Sequence, residues 1–126
     1  MGHIVASVEA PYSIESGAEA FAKLMTLKNP PSAVMCGNDV LAVGAMMKAK
    51  EMKLSIPDDV SITGFDDIEL AQVIDPPLTT VHVPHSKMGQ RAAQILVGSI
   101  ISGLSEKGEL LETHICERAT LAKPKK

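Results

Sequence analysis

The sequence predicts an α/β three-layer sandwich with a mostly parallel sheet, and two observations carry that expectation. Short β-branched or apolar runs alternate with longer segments of helical period, in the order strand, helix, strand, helix, strand, short helix, strand, helix, strand. One strand candidate, residues 32–36, is a short continuous apolar run of the kind found in parallel strands covered on both faces.

Residues 4–8 form a β-branched run ended by Pro11 and read as the first strand. Ser13 opens a helix as its N-cap, with Ala18, Phe21, Ala22, Leu24 and Met25 as the apolar stripe. Asn29, Pro30 and Pro31 stop it, because the residue before a proline is pushed out of the helical region. The strand at 32–36 is broken by Gly37 and Asn38, and Asn38 or Asp39 caps a long helix running to about Met52. Leu41, Val43, Gly44, Met46, Met47 and Ala49 wrap much of that helix, so more than one of its faces expects cover. A loop over 53–59 feeds a strand at 60–65, and a short helix at 68–74 ends at Asp75, Pro76 and Pro77. Residues 78–83 form a strand rich in Thr and Val. Pro84 or Ser86 starts the last long helix, which Gly103 closes; Met88, Ala92, Ile95, Leu96, Ser99 and Ile100 lie on its apolar side. Residues 109–117 alternate Leu111, Thr113 and Ile115 with polar neighbours and read as an edge strand. No internal repeat or low-complexity segment interrupts the order.

The chain has 126 residues, 45% hydrophobic and 21% charged, which fits one globular domain with a real core rather than a disordered segment. Twelve basic and fifteen acidic side chains give a net charge of −3. That balance argues against this stretch holding nucleic acid itself, since neutralising a phosphate backbone needs a clustered basic face. The only basic cluster, Lys123, Lys125 and Lys126, reads as a solvated terminus. Cys36 and Cys116 lie far apart in different strands, with no disulfide framework, so a reducing, cytoplasmic setting is expected. No apolar run approaches the roughly 20 residues of a membrane span, and no signal peptide opens the sequence, so no membrane partner is expected.

In open α/β sheets, ligands sit at the carboxyl ends of the strands. That rule marks three places: Gly37, Asn38 and Asp39; Gly64, Phe65, Asp66 and Asp67; and the segment after Val83. Asn38 brings an amide that donates and accepts, and Asp39 and Asp66 bring carboxylates that accept, the mixed partners that vicinal hydroxyls of a sugar require. Asp39 and Asp67 also suit helix caps. Tyr12, the sole tyrosine, sits in the loop after the first strand, placed either to stack on a sugar ring or to anchor the loop. A shared acid/base or metal centre of Asp58 and Asp59 with Asp66 and Asp67 is ruled out by the strand between them, which sets the pairs about 20 Å apart at 3.3 Å per residue. His82 and His85 flank Pro84 with no Cys or third His nearby, and read as surface or helix-start histidines rather than metal ligands. His3 and His114 have no evident partner, and Cys36 reads as a small buried hydrophobe. With no GxGxxG, P-loop or GxSxG, no catalytic residue, metal or cofactor is expected, and the chain is not read as an enzyme.

Three segments carry a resemblance to a known family. They are PSAVMCGNDVLAVGA at 31–45, IPDDVSITGFDDI at 56–68, and PPLTTV at 76–81 followed by Met88, Gly89 and Ala92. In this order and spacing they resemble the C-terminal subdomain of the effector-binding core of LacI/GalR transcriptional regulators, from about Tyr12 to Thr120. The resemblance implies half of a periplasmic-binding-protein-like fold, residues 1–126 being one subdomain, with the DNA-reading part and the other subdomain outside them. It implies a repressor that responds to a sugar or similar small molecule, with Tyr12, Asn38 and Asp66 as ligand contacts and Asp39 and Asp67 left as caps or turn formers. It further implies a homodimer through the helix after Asn38 and the helix at 68–74, with Val43, Met47 and Ile74 at the contact; operator DNA would be bound only by the missing N-terminal domain. A fragment of a periplasmic sugar-binding protein of the same fold is the alternative. One departure stands out: many members carry a glutamine where this chain has Val83.

Overall fold

The computed structural model describes residues 4–105 and 107–123. Among these, the elements are α1 (Ile14–Met25), β1 (Ala33–Met35), α2 (Asp39–Glu51), β2 (Ser61–Thr63), α3 (Glu69–Val73), β3 (Thr80–His82), α4 (His85–Ser102) and β4 (His114–Cys116). β1 and β2 pair in parallel, with Val34 opposite Ile62, and β3 and β4 pair antiparallel, with Val81 opposite Ile115. Parallel bridges from Thr63 to Thr79 and from Asp66 to His82 join the two ladders, so the strands lie in the order β1, β2, β3, β4. The result is an α/β fold with a mostly parallel sheet and an antiparallel edge.

Local chemistry explains the helix starts. The Ser13 hydroxyl accepts from the Ser16 N–H at 3.1 Å and caps α1, as its position before an apolar stripe predicts. Asn38 does the same for α2, its side-chain oxygen accepting from Leu41 N–H at 3.0 Å. α1 and α2 cross at Gly17 and Gly44: a Cβ on Gly17 would overlap the Leu41 carbonyl, and one on Gly44 the Ile14 carbonyl. Two glycines facing opposite backbones thus bring the helices into direct contact. Phe21 of α1, Ala42, Ala45, Met46 and Ala49 of α2, and Val34, Val60, Ile62, Ala71 and Leu78 form one buried core. Residues 118–122 run back along the sheet, where the buried Thr120 accepts from Ile62 N–H through its carbonyl and from Thr79 N–H through its hydroxyl, both at 2.9 Å.

Three expectations for the elements need correction. Residues 4–8 are exposed and pair with no strand; they run beside α1 and β1, bordering an apolar groove of about 560 Å³ without closing a ladder onto β1. The last strand is confined to His114–Cys116, and the residues before it turn instead toward α4, where Leu111 and Thr113 border a groove with Met88, Ala92 and Ile95 and Glu109 pairs with Arg91. α4 has its predicted length and ends at Gly103 in the left-handed conformation, but it contains no buried residue, and Leu96 and Ile100 of its apolar side are open. Periodicity identifies an apolar side, whereas cover depends on what the rest of the molecule lays against it.

Candidate functional site

The carboxyl ends of β1, β2 and β3 open at one end of the sheet, and backbone hydrogen bonds tie them together. Cys36 N–H donates to Thr63 O at 2.8 Å, and Asp39 N–H donates to Phe65 O at 2.9 Å. Asp66 is held on both sides by β3, its N–H donating to Val81 O at 3.0 Å and its carbonyl accepting from Val83 N–H at 3.4 Å. Asp66 and Asp67 both adopt positive φ, 114° and 59°, a strained turn that only such anchoring sustains.

Of the three residues expected to touch a ligand, Tyr12 is largely exposed, and one edge of its ring lies next to Gly37, beside the Asn38 turn. Asn38 is divided between two tasks. Its oxygen caps α2, so its amide N–H₂ is the group left for a ligand. Asp66 is partly open, and its carboxylate forms no hydrogen bond among the described residues; its nearest charged neighbour is His85 Nε2, 3.8 Å away. Phe65, 42% exposed on the same loop, adds an apolar surface there. Its place at a strand end was visible in the sequence, but its exposure was not, since strand residues before a turn are as often core.

Of the two aspartates expected to be caps or turn formers, Asp67 does lie in the turn, with φ of 59°, while Asn38 rather than Asp39 caps α2, and both carboxylates have further partners. Asp39 is fully buried, and its oxygens accept from the Thr80 hydroxyl at 2.6 Å and the Ile68 N–H at 2.9 Å. It therefore latches the start of α2 to β3 and to the entrance of α3. Gly64 has no side chain to spare at this point, since a Cβ there would overlap the Asp39 carboxylate. Asp67 is the hub of a second network: Oδ1 accepts from Arg118 at 2.5 Å, Oδ2 meets His82 Nδ1 at 2.9 Å, and the Cys116 thiol donates to Oδ2 at 3.6 Å. Burial works to raise the Asp67 pKa, but the hydrogen bonds from Arg118 and His82 and the guanidinium charge outweigh it, and the carboxyl is held below the usual range. His82, partly exposed, is thus engaged with Asp67, and it lies against His114 with ring centres 4.9 Å apart. His85 does begin a helix.

Burial, reinforced by the Asp39 charge, pushes the Cys36 thiol up to about 12, so it is a poor nucleophile. Both cysteines are free. Among the described residues no cluster of His, Cys, Asp and Glu is arranged to hold a metal ion, and Asp59 accepts from Ser55 N–H at the opposite end of β2 from Asp66. No helix among the described residues is long and apolar enough to cross a membrane. Of the three residues expected at a subunit contact, Val43 is buried within the chain, in a stretch of α2 that is enclosed from Ala42 to Met46, so it is not open to a second copy. Ile74 packs against the core, and Met47 is exposed, as are Leu70 and Val73 of α3.

Comparison with known proteins adds to this geometry. The periplasmic binding protein-like domain family matches residues 2–121. The HTH-type transcriptional repressor PurR of Proteus mirabilis is 38% identical over 117 residues, covering 91% of this chain and 34% of that protein. The chain thus spans about a third of the length of the curated relatives it matches. A putative transcriptional regulator LacI from Bacillus cereus subsp. cytotoxis superposes with a TM-score of 0.86 at 31% identity, over 88% of this chain and 40% of that one. A LacI family transcriptional regulator from Enterococcus faecium, solved with bound ribose, gives 0.81 at 32% identity, over 90% and 42%.

Proposed function

Because the chain belongs to the periplasmic binding protein-like family, and within it to the LacI/GalR regulators, we propose that it forms the effector-sensing and dimerising part of a cytoplasmic transcriptional repressor. It carries no catalytic activity; its task is to bind a sugar or similar small molecule on one wall of a cleft. The observation that supports this reading is that the Asn38 amide N–H₂ is left over from capping and the Asp66 carboxylate has only His85 at 3.8 Å, both in turns at the carboxyl end of the sheet, with the Tyr12 ring beside Gly37. An aromatic face suits the apolar side of a sugar ring, and an amide with a carboxylate suits its hydroxyls. The relatives, named as repressors, favour a regulator over a periplasmic transport protein of the same fold.

In this reading a second lobe of the longer protein supplies the other wall, and operator DNA is bound by a domain beyond these residues. The bare apolar face of α4 supports a neighbouring lobe that covers it. The contact between copies then runs through Met47 of α2 and the exposed Leu70 and Val73 of α3, with Ile74 beneath them. Effector that prefers the closed cleft shifts the dimer between two states, and its differential affinity for them sets the strength of the switch.

A thermal-shift screen of the full-length protein against sugars and nucleosides tests the reading. At least one compound is expected to raise Tm, and Asp66→Ala to abolish the rise. If no compound in the panel moves Tm, small-molecule sensing of this class is refuted.

A further inference from the structure

Asp66 and His85 stand in a relation that neither residue type explains alone. His85 Nε2 lies 3.8 Å from Asp66 Oδ1, beyond the 2.7–3.2 Å of a direct hydrogen bond, and both side chains are partly open to solvent. Asp66 is pinned through its N–H and its carbonyl to Val81 and Val83, and His85 is fixed two residues further on by its own N–H, which donates to Val83 O at 2.8 Å. One strand end therefore sets the position of both groups.

A carboxylate oxygen only accepts, whereas an imidazole nitrogen bearing hydrogen donates. Placed 3.8 Å apart, they leave room for one oxygen at about 2.8 Å from each, an oxygen that donates to Asp66 and accepts from His85. A hydroxyl does both. An ether oxygen lacks the hydrogen that Asp66 needs, and a carboxylate or phosphate oxygen would meet Asp66 as a like charge.

We propose that His85 is a specificity-determining contact of the effector site, sharing with Asp66 a single hydroxyl of an uncharged polyol. The assignment rests on the effector-binding reading above and adds to it the donor that the carboxylate lacks. The adjacent charged groups are already engaged. His82 and Arg118 hold Asp67, His114 stacks on His82, and Arg91 on the helix of His85 is paired with Glu109. Among these groups His85 is the one left to Asp66.

The test measures binding of D-ribose and cellobiose to the full-length protein by calorimetry, for the wild type, His85→Phe and His85→Gln, each checked for native circular dichroism. His85→Phe keeps a ring but removes the donor, and is expected to weaken the binding about tenfold or more. His85→Gln keeps an N–H donor and is expected to stay within about threefold of wild type. Binding that His85→Phe leaves intact overturns the role of His85 while the effector reading stands. Failure of the wild type to bind either sugar overturns the shared-hydroxyl assignment, and the wider thermal-shift panel then decides the effector reading.

Discussion

Asp39 and Asp67 each follow a residue expected to meet ligand, and each is turned inward by what surrounds it. Removing the Asp39 carboxylate leaves the Thr80 hydroxyl and the Ile68 N–H without acceptors in a closed environment. Asp39→Ala is expected to cost about 2–4 kcal/mol, read from the urea midpoint at constant slope. Asp67 acts through pH. Its folded pKa lies below its unfolded one, so its stabilisation is complete above the ordinary carboxylate range and is lost as pH falls through the folded value. Thermal melts from pH 6 downward should lose stability at the acid end, and Asp67→Asn should flatten that decline while lowering Tm at pH 6. Cys36 gives a third check: with its thiol pushed up to about 12, reaction with a disulfide reagent at pH 8 should be slow in the native protein and fast after unfolding. Equal rates in both states would contradict the environment described for it.

The packing of α1 on α2 depends on two absent side chains. Gly44→Ala forces a methyl into the Ile14 carbonyl, and neither backbone can yield without opening the interface. A loss of about 2–3 kcal/mol is expected, although alanine is the better helix former by about 1 kcal/mol. A gain in stability would mean that the helices stand further apart. Asn38 lets capping and recognition be separated within one residue. Serine caps a helix about as well as asparagine, so Asn38→Ser should hold stability within about 0.5 kcal/mol. It lacks the amide N–H₂, so effector binding should weaken. If both properties survive, Asn38 serves α2 alone.

α4 presents a different problem at the scale of the whole molecule. Its sequence carries the stripe of a covered helix, yet no residue of it is buried, Leu96, Ile100 and Ile101 lie open, and only a shallow groove shared with residues 109–113 borders it among the described residues. In the isolated 126-residue chain, Ile100→Asp removes no contact and should change stability by less than about 0.5 kcal/mol. In the longer protein, where the proposed second lobe lies on this face, the same change should cost about 2 kcal/mol or more, because it buries an unpaired charge. Equal effects in the two contexts, by chemical denaturation, would argue against a covering lobe. Dimerisation is checked by the same logic: Met47→Glu should shift the full-length protein toward monomer in sedimentation at micromolar concentration.

The order of elements from the first helix onward, the caps at Ser13 and Asn38, the close of α4 at Gly103 and the turns after β1 and β2 that carry Asn38 and Asp66 were legible in the sequence. Each is a matter of local chemistry: hydrophobic period, capping oxygens, and turn residues that tolerate unusual backbone angles. Tertiary structure decided the rest. It turned Asp39 and Asp67 into latches through partners 41 and 51 residues away, enclosed Val43, left residues 4–8 unpaired and α4 uncovered, and set His85 within reach of Asp66. A carboxylate's role follows from its neighbours, and those neighbours are distant in sequence; the sequence marked the strand ends, and the three-dimensional arrangement decided which of the aspartates there are locked into internal networks.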